Sequence, residues 1–210
     1  SIRNKCGRTK RPVKRGKRMR TLILNGSPRK NGDTAALVEA FCQELEGEVR
    51  MLTPDDGILP CSDCRRCKVL PGCSIQDKMQ DIYPYLTECD NVVLASPVWF
   101  SSLSGPLLTM ASRMQTLFCA RFFRRENLPG LEKNGVLLLV GAQPETAENA
   151  ARSARTILRT MGARRPLLRE VYSMDTDRLP ARQDAKSLGE AREAAALLNR
   201  LHEEKQKKEN

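Results

Sequence analysis

Four cysteines crowd into the short stretch between Pro60 and Ser74: Cys61, Cys64, Cys67 and Cys73, in the pattern C-x2-C-x2-C-x5-C. That spacing lets three sulfurs converge from one tight loop while the fourth returns across Pro71-Gly72. Four thiolates can hold a [4Fe-4S] cluster or a tetrahedral zinc ion. The first three match ferredoxin spacing better than paired zinc knuckles, and His202 is the chain's single histidine, which disfavours a mixed Cys/His zinc site. Free thiols, or a redox disulfide in an ordinary loop, are the plainer alternative. Arg65 and Arg66 would offset the charge of a thiolate-bound cluster or mark an acidic partner's docking surface, although exposed arginines need neither role.

A second group with chemical potential is Asn25-Gly26-Ser27-Pro28-Arg29-Lys30-Asn31-Gly32-Asp33-Thr34. Gly26 and Gly32 permit close backbone approach, Ser27 and Thr34 bring hydroxyls, Arg29 a cation, and a following helix its N-terminal amides; together they suit a phosphate dianion. Asp33 stands where a triphosphate-binding P-loop needs its lysine, and the glycines are one residue too far apart for that motif. Nor is this the G-x-G-x-x-G of dinucleotide folds. A turn capped by Asp33 or Thr34, with no ligand, is the structural alternative.

These residues need a scaffold, and the periodicity supplies one. Thr21 to Leu24 reads as a short buried strand, and the apolar spacing of Leu37, Val38, Phe41, Cys42 and Leu45 as the helix after it. Further strands are expected at 48–52, 91–95, 136–140 and 166–171. Helices are expected at 77–88, broken or restarted at Pro84; from Gly105-Pro106 through Phe118; from Ala147 to a stop at Gly162; and from Asp184 to about Lys205. Strands alternating with helices, in runs apolar enough to be covered on both sides, specify an α/β, doubly wound sandwich with a five-stranded parallel sheet. In such sheets a ligand lies beyond the carboxyl ends of the strands.

Gly26-Ser27-Pro28-Arg29 followed by Asn31-Gly32-Asp33-Thr34 resembles the FMN-phosphate loop of the NADPH-dependent FMN reductase family, which is flavodoxin-like. That family's second flavin loop, Ser-Pro-x-aromatic-Phe, is matched by Ser96-Pro97-Val98-Trp99-Phe100 after the third strand. Its third, a glycine-led turn after the next strand, corresponds to Gly141-Ala142-Gln143, with Ala142 where many relatives carry a second glycine. The resemblance spans about Met19 to Gly162. It implies bound FMN, with Ser27, Arg29, Gly32, Asp33 and Thr34 at the phosphate and the two later loops at the ring. NAD(P)H is implied as co-substrate, and a homodimer with the flavin near its interface. By the same resemblance, Trp99 and Phe100 offer the flavin their backbone more than their side chains, and are otherwise core or dimer-contact aromatics. The cysteine pattern is similar to that of the iron-sulfur flavoprotein branch, which implies a cluster exchanging single electrons with FMN.

Composition narrows the alternatives. A net charge of +11 resembles a nucleic-acid signal, but residues 1–20 hold ten Lys or Arg and no acid, leaving 26 basic and 25 acidic residues in the nearly neutral remainder. The expected organisation is therefore a basic, disordered extension over 1–19 and one domain over 20–210, with the cysteine loop 60–74 inserted after strand two. Met19, directly before the first strand, allows the extension to be upstream sequence. The longest apolar runs are far short of the roughly 20 residues a membrane-crossing helix needs. Eight cysteines without a secretion signal point to the cytoplasm, with thiols as ligands or core residues rather than disulfides.

Two functions follow from this reading: an FMN oxidoreductase passing electrons from NAD(P)H to an acceptor, through a cluster if one is present, or a non-enzymatic carrier or redox sensor. A zinc-stabilised module using the basic extension on nucleic acid is weighed against by the flavin loops.

Overall fold

The computed structural model describes Cys6 and residues 17–128, 132–163 and 169–209. Among the described residues six strands form, β1 (Arg20–Asn25), β2 (Glu48–Leu52), β3 (Asn91–Trp99), β4 (Ser102–Leu103), β5 (Asn134–Gly141) and β6 (Arg169–Met174). Six helices alternate with them, α1 (Asp33–Glu44), α2 (Met79–Glu88), α3 (Gly105–Ser112), α4 (Gln115–Phe122), α5 (Ala147–Thr160) and α6 (Ala185–Glu209). Five strands pair in parallel in the order β2-β1-β3-β5-β6, and short β4 pairs antiparallel with the end of β3.

Chain order runs outward in both directions from β1 and β3, so the switch point lies between them, at the carboxyl ends that carry Gly26 and Ser96. This is the doubly wound order of the flavodoxin-like fold that the family resemblance implies.

Two cores cover the sheet's two faces, because successive residues of a strand point to opposite sides. Leu22, Leu24, Val92, Leu94, Leu137 and Leu139 pack beneath α2, α3, α4 and α5. Ile23, Val93, Ala95, Val136, Leu138 and Val140 face α1 and α6. At the amino ends of the strands, away from the switch point, Asn91 donates to Thr21 (3.0 Å) and Asn134 donates to Asn91 (2.8 Å). Those contacts hold the sheet in register without lining a site.

Several boundaries differ from the sequence reading. Pro84 lies inside α2, costing it one backbone donor without ending it. The helix expected from Gly105 through Phe118 divides at Arg113 and Met114, whose amides bond to carbonyls three residues back (3.2 and 2.9 Å) and tighten the turn. Periodicity carried the apolar pattern across that break unchanged. The last strand was expected at 166–171; its first part lies outside the described residues, and β6 runs on to Met174.

Cys6 is joined to Cys42 of α1 in a disulfide, correcting the expectation that these cysteines serve as ligands or core thiols rather than disulfides. The rest of the basic segment before Lys17 lies outside the described residues. Met19 is buried in the core, and its carbonyl accepts from Glu48 (2.8 Å). His202, the single histidine, has Nε2 at 2.9 Å from the Lys17 carbonyl.

Candidate functional site

The first loop leaves β1 at Asn25, whose side-chain oxygen accepts the Ser27 amide (3.0 Å). Gly26 is required here by close packing. A Cβ on it would lie 2.5 Å from Ser104 Oγ and closer still to Leu107 Cβ. The loop ends at Gly32, the N-cap of α1, which has no side-chain cap, so the first-turn amides of α1 keep their donor capacity. Thr34 is buried in that first turn, while Ser27 and Arg29 remain more accessible.

Asp33 does not cap α1. Its Oδ1 accepts the amide of Ala181 (2.8 Å), tying the loop to the chain between β6 and α6. Arg29, Asn31, Gly32 and Asp33 also form one wall of an open cleft of about 470 Å³, opposite Pro180, Arg182 and Gln183.

The second loop is bound to the first. Ser96 and Ser104 are fully buried; the Ser96 hydroxyl accepts the Ser104 amide (3.0 Å), and Ser104 Oγ donates to the Gly26 carbonyl (2.9 Å). Ser104 also caps α3, accepting from the Leu107 amide (3.4 Å). The sequence reading missed this bridging serine, although Ser-Gly-Pro ahead of a helix was the available signal.

Beyond Pro97 and Val98, β3 turns into β4 through Phe100 and Ser101, both at positive φ (51° and 56°) between the paired residues Trp99 and Ser102. A two-residue turn of this kind favours Asn-Gly. A non-glycine residue held in such a conformation costs about 1–3 kcal/mol, and such strain clusters at ligand sites. Phe100 is fully exposed and Trp99 partly so, which places neither side chain in the core.

The third loop starts at buried Gly141, where an added Cβ would lie 3.3 Å from Val98 Cβ and 2.8 Å from Met174 Cε. Ala142 and Gln143 are exposed beyond it. The three loops therefore meet at the carboxyl edge of β1, β3 and β5. The uncapped amides, buried Thr34 and glycine-dependent close packing fit a phosphate and a planar ring set across the switch point.

The cysteine loop packs against α3 and α4, and long-range polar contacts hold it. Arg113 is completely buried; its Nη1 donates to the Leu59 carbonyl (3.0 Å) and to Asp77 Oδ2 (2.6 Å), and its Nη2 donates to the Ile75 carbonyl (3.2 Å). One guanidinium thereby closes both ends of the loop. Asp77 in turn accepts the amides of Leu59 and Met79 (both 3.0 Å). Burial pushes the Asp77 carboxyl up, but Arg113 and those two amides outweigh it and hold it below the usual carboxylate range.

The Cys61 amide donates to Ser112 Oγ (2.9 Å), Gln80 donates to the Cys73 carbonyl (3.0 Å), and Arg124 donates to the Cys67 carbonyl. Asp63 and Arg65 hold positive φ.

Cys61, Cys64, Cys67 and Cys73 all line one cavity of about 50 Å³. Two residues that the sequence reading did not connect with them line it too: Cys119 of α4 and Arg113. Cys67 and Cys119 are neighbours at this cavity; burial first, and that neighbouring thiol second, push the Cys67 thiol up to about 11. Exposed Cys64 goes the other way, its thiol held below the ordinary value chiefly by Ser74 Oγ at 3.1 Å. Among the described residues, no group of three or more His, Cys, Asp or Glu side chains is gathered closely enough to hold one metal ion. The donors surround a cavity rather than a point. Four thiols around one cavity are the donor set of a four-iron cluster, in which each thiolate takes its own iron, and equally of a tetrahedral zinc site.

Strand order and loop placement define a flavodoxin-like α/β protein with its ligand edge at the β1/β3 switch point. Residues 19–176 match the family model for NADPH-dependent FMN reductase, and the chain belongs to that family. It is 34% identical over 104 residues to an iron-sulfur flavoprotein of Methanocaldococcus jannaschii, covering 47% of this chain and 53% of the relative. An iron-sulfur flavoprotein of Methanosarcina thermophila is 28% identical over 128 residues, 59% of this chain and 63% of the relative. The chain spans about half the length of the curated relatives it matches.

In fold it is similar to an NAD(P)H:quinone oxidoreductase from Methanothermobacter marburgensis (TM-score 0.68, 16% identity, 87% of this chain and 96% of the other). An azoreductase from Bacillus anthracis superposes with a TM-score of 0.57 (16% identity, 87% and 99% covered). Among the described residues, no helix is long and apolar enough to cross a membrane.

Proposed function

We propose that this protein is an FMN-dependent oxidoreductase that takes electrons from NAD(P)H and passes them to an acceptor through a [4Fe-4S] cluster held by Cys61, Cys64, Cys67 and Cys73. The observation that carries the flavin assignment is the buried bridge Gly26–Ser104–Ser96, which locks the first two loops into one edge at the switch point. When bound, FMN supplies hydride acceptance from the nicotinamide and onward electron transfer.

The chain's own residues position and tune. The α1 amides, Ser27, Thr34 and Arg29 hold the phosphate, with Gly32 and Asp33 shaping the loop around it. Ser96, Pro97, Val98, Trp99 and Phe100 present backbone along the ring, and Gly141, Ala142 and Gln143 close its third side with amides suited to negative charge. The names of the relatives and the ring of cysteines around one cavity support the cluster. The working unit is a homodimer in the cytoplasm, acting on a small-molecule or protein acceptor.

Anaerobic purification with flavin, iron and sulfide analysis, followed by stopped-flow mixing with NADH and NADPH, tests this reading. Expected are stoichiometric FMN, four irons per chain and rapid flavin bleaching. Flavin bands without iron would sink the cluster, and a flavin that neither nucleotide reduces would leave a carrier or sensor. Sedimentation velocity tests the dimer.

A further inference from the structure

Arg113 does more than close the cysteine loop. Its side chain is wholly buried and three of its hydrogen bonds are made by Nη1 and Nη2, yet Nε is buried without a partner. A buried N–H left unbonded costs about 1–3 kcal/mol, and native proteins seldom leave one. Arg113 lines the cavity ringed by the four loop cysteines, whose acceptors are sulfur. Cys73 lies within electrostatic reach of the guanidinium and within hydrogen-bond reach of Tyr83, whose hydroxyl donates to the Arg113 carbonyl (3.3 Å).

We infer that Arg113 is a cluster-binding residue: its Nε–H donates to a sulfur of the iron-sulfur group held by Cys61, Cys64, Cys67 and Cys73, and its buried positive charge raises that group's reduction potential. The inference rests on the cluster reading proposed above. It deepens that reading by assigning the tuning to a residue at the turn between α3 and α4, outside the cysteine motif. Hydrogen bonds to sulfur and local net charge are two means by which a protein sets a cluster's potential. Arg113 supplies both from a fixed position: Asp77 and two carbonyls immobilise its guanidinium, and while the Asp77 carboxylate offsets its charge, Arg113 lines the cavity and Asp77 does not, so the positive end of the pair faces the cysteines. Arg65 and Arg66 are exposed, so water screens their charge and Arg113 dominates.

The test uses the full chain grown with guanidino-15N-arginine, purified anaerobically, assayed for iron and sulfide, reduced, and examined by pulsed EPR. A 15N coupling to the cluster is expected. It should vanish in Arg113→Gln paired with Asp77→Asn, a double variant that leaves no lone buried charge. In a redox titration of the protein that retains iron, Arg113→Gln alone should move the cluster midpoint to lower potential.

Full iron and sulfide without a 15N coupling overturns the inference while leaving the cluster in place, as does a coupling that persists in the double variant. An unmoved midpoint in iron-replete Arg113→Gln also overturns it. A wild-type protein that holds no iron or sulfide overturns the cluster reading and this inference together.

Discussion

Replacing Asp77 with alanine should cost far more stability than its place in a surface loop suggests. The change strands the Arg113 guanidinium, which is 0% exposed, and leaves the amides of Leu59 and Met79 without their acceptor. Breaking a buried ion pair by removing one partner costs about 3–5 kcal/mol, because the remaining charge has no water to turn to. Two carbonyls still accept from Arg113, which keeps the expected cost inside that range rather than above it. For a domain of this size each kcal/mol moves the midpoint by about 2–4 °C, so a drop of roughly 6–20 °C is expected by calorimetry.

The pH dependence carries its own sign. Asp77's carboxyl is lowered in the folded protein, so its contribution is complete above the unfolded value of about 3.9 and is lost as pH falls through the folded value. Asp77→Ala should therefore lose part of the wild-type fall in stability below about pH 4. The cysteines should react faster with a thiol reagent in the iron-free variant, since the loop's closing contact is gone. A stability loss under about 1 kcal/mol, with unchanged thiol reactivity, would show that the clip does not hold the loop.

Three further outcomes follow from the same geometry. Gly26→Ala drives a Cβ against Ser104 and Leu107, and should lower stability by about 1–3 kcal/mol in urea titration while releasing FMN on desalting. Ser104→Ala removes the bridge between the first two loops and a helix cap; about 1–2 kcal/mol is expected, read as a five- to thirty-fold weaker FMN affinity in a fluorescence titration. In iron-free protein, iodoacetamide at neutral pH should label Cys64 first, more slowly in Ser74→Ala, and should leave Cys89, whose buried thiol is pushed up to about 11, unlabelled until unfolding, as mass spectrometry would show.

Much of this protein is local and could be read in the chain. Strand and helix alternation, both flavin motifs and the four-cysteine pattern depend on near neighbours: apolar period, turn residues and short-range spacing. The order β2-β1-β3-β5-β6 follows from those units through the handedness of crossovers and the need to cover both faces.

What only the tertiary structure decided involves residues far apart in sequence. Asp33 looks like a helix cap, yet its carboxylate serves Ala181. Arg113 looks like one polar position on an amphipathic helix, yet it turns inward because a buried carboxylate and two carbonyls wait there from residues 36 to 54 positions away. Cys119 reads as a small core residue until α4 packs it beside Cys67. Each of these depends on a partner that no local pattern names, because a buried polar group is satisfied by whatever the fold brings within 3 Å or so. The motifs thus mark the flavin edge and the cysteine loop, and the packing of α3 and α4 supplies the residues that hold that loop shut.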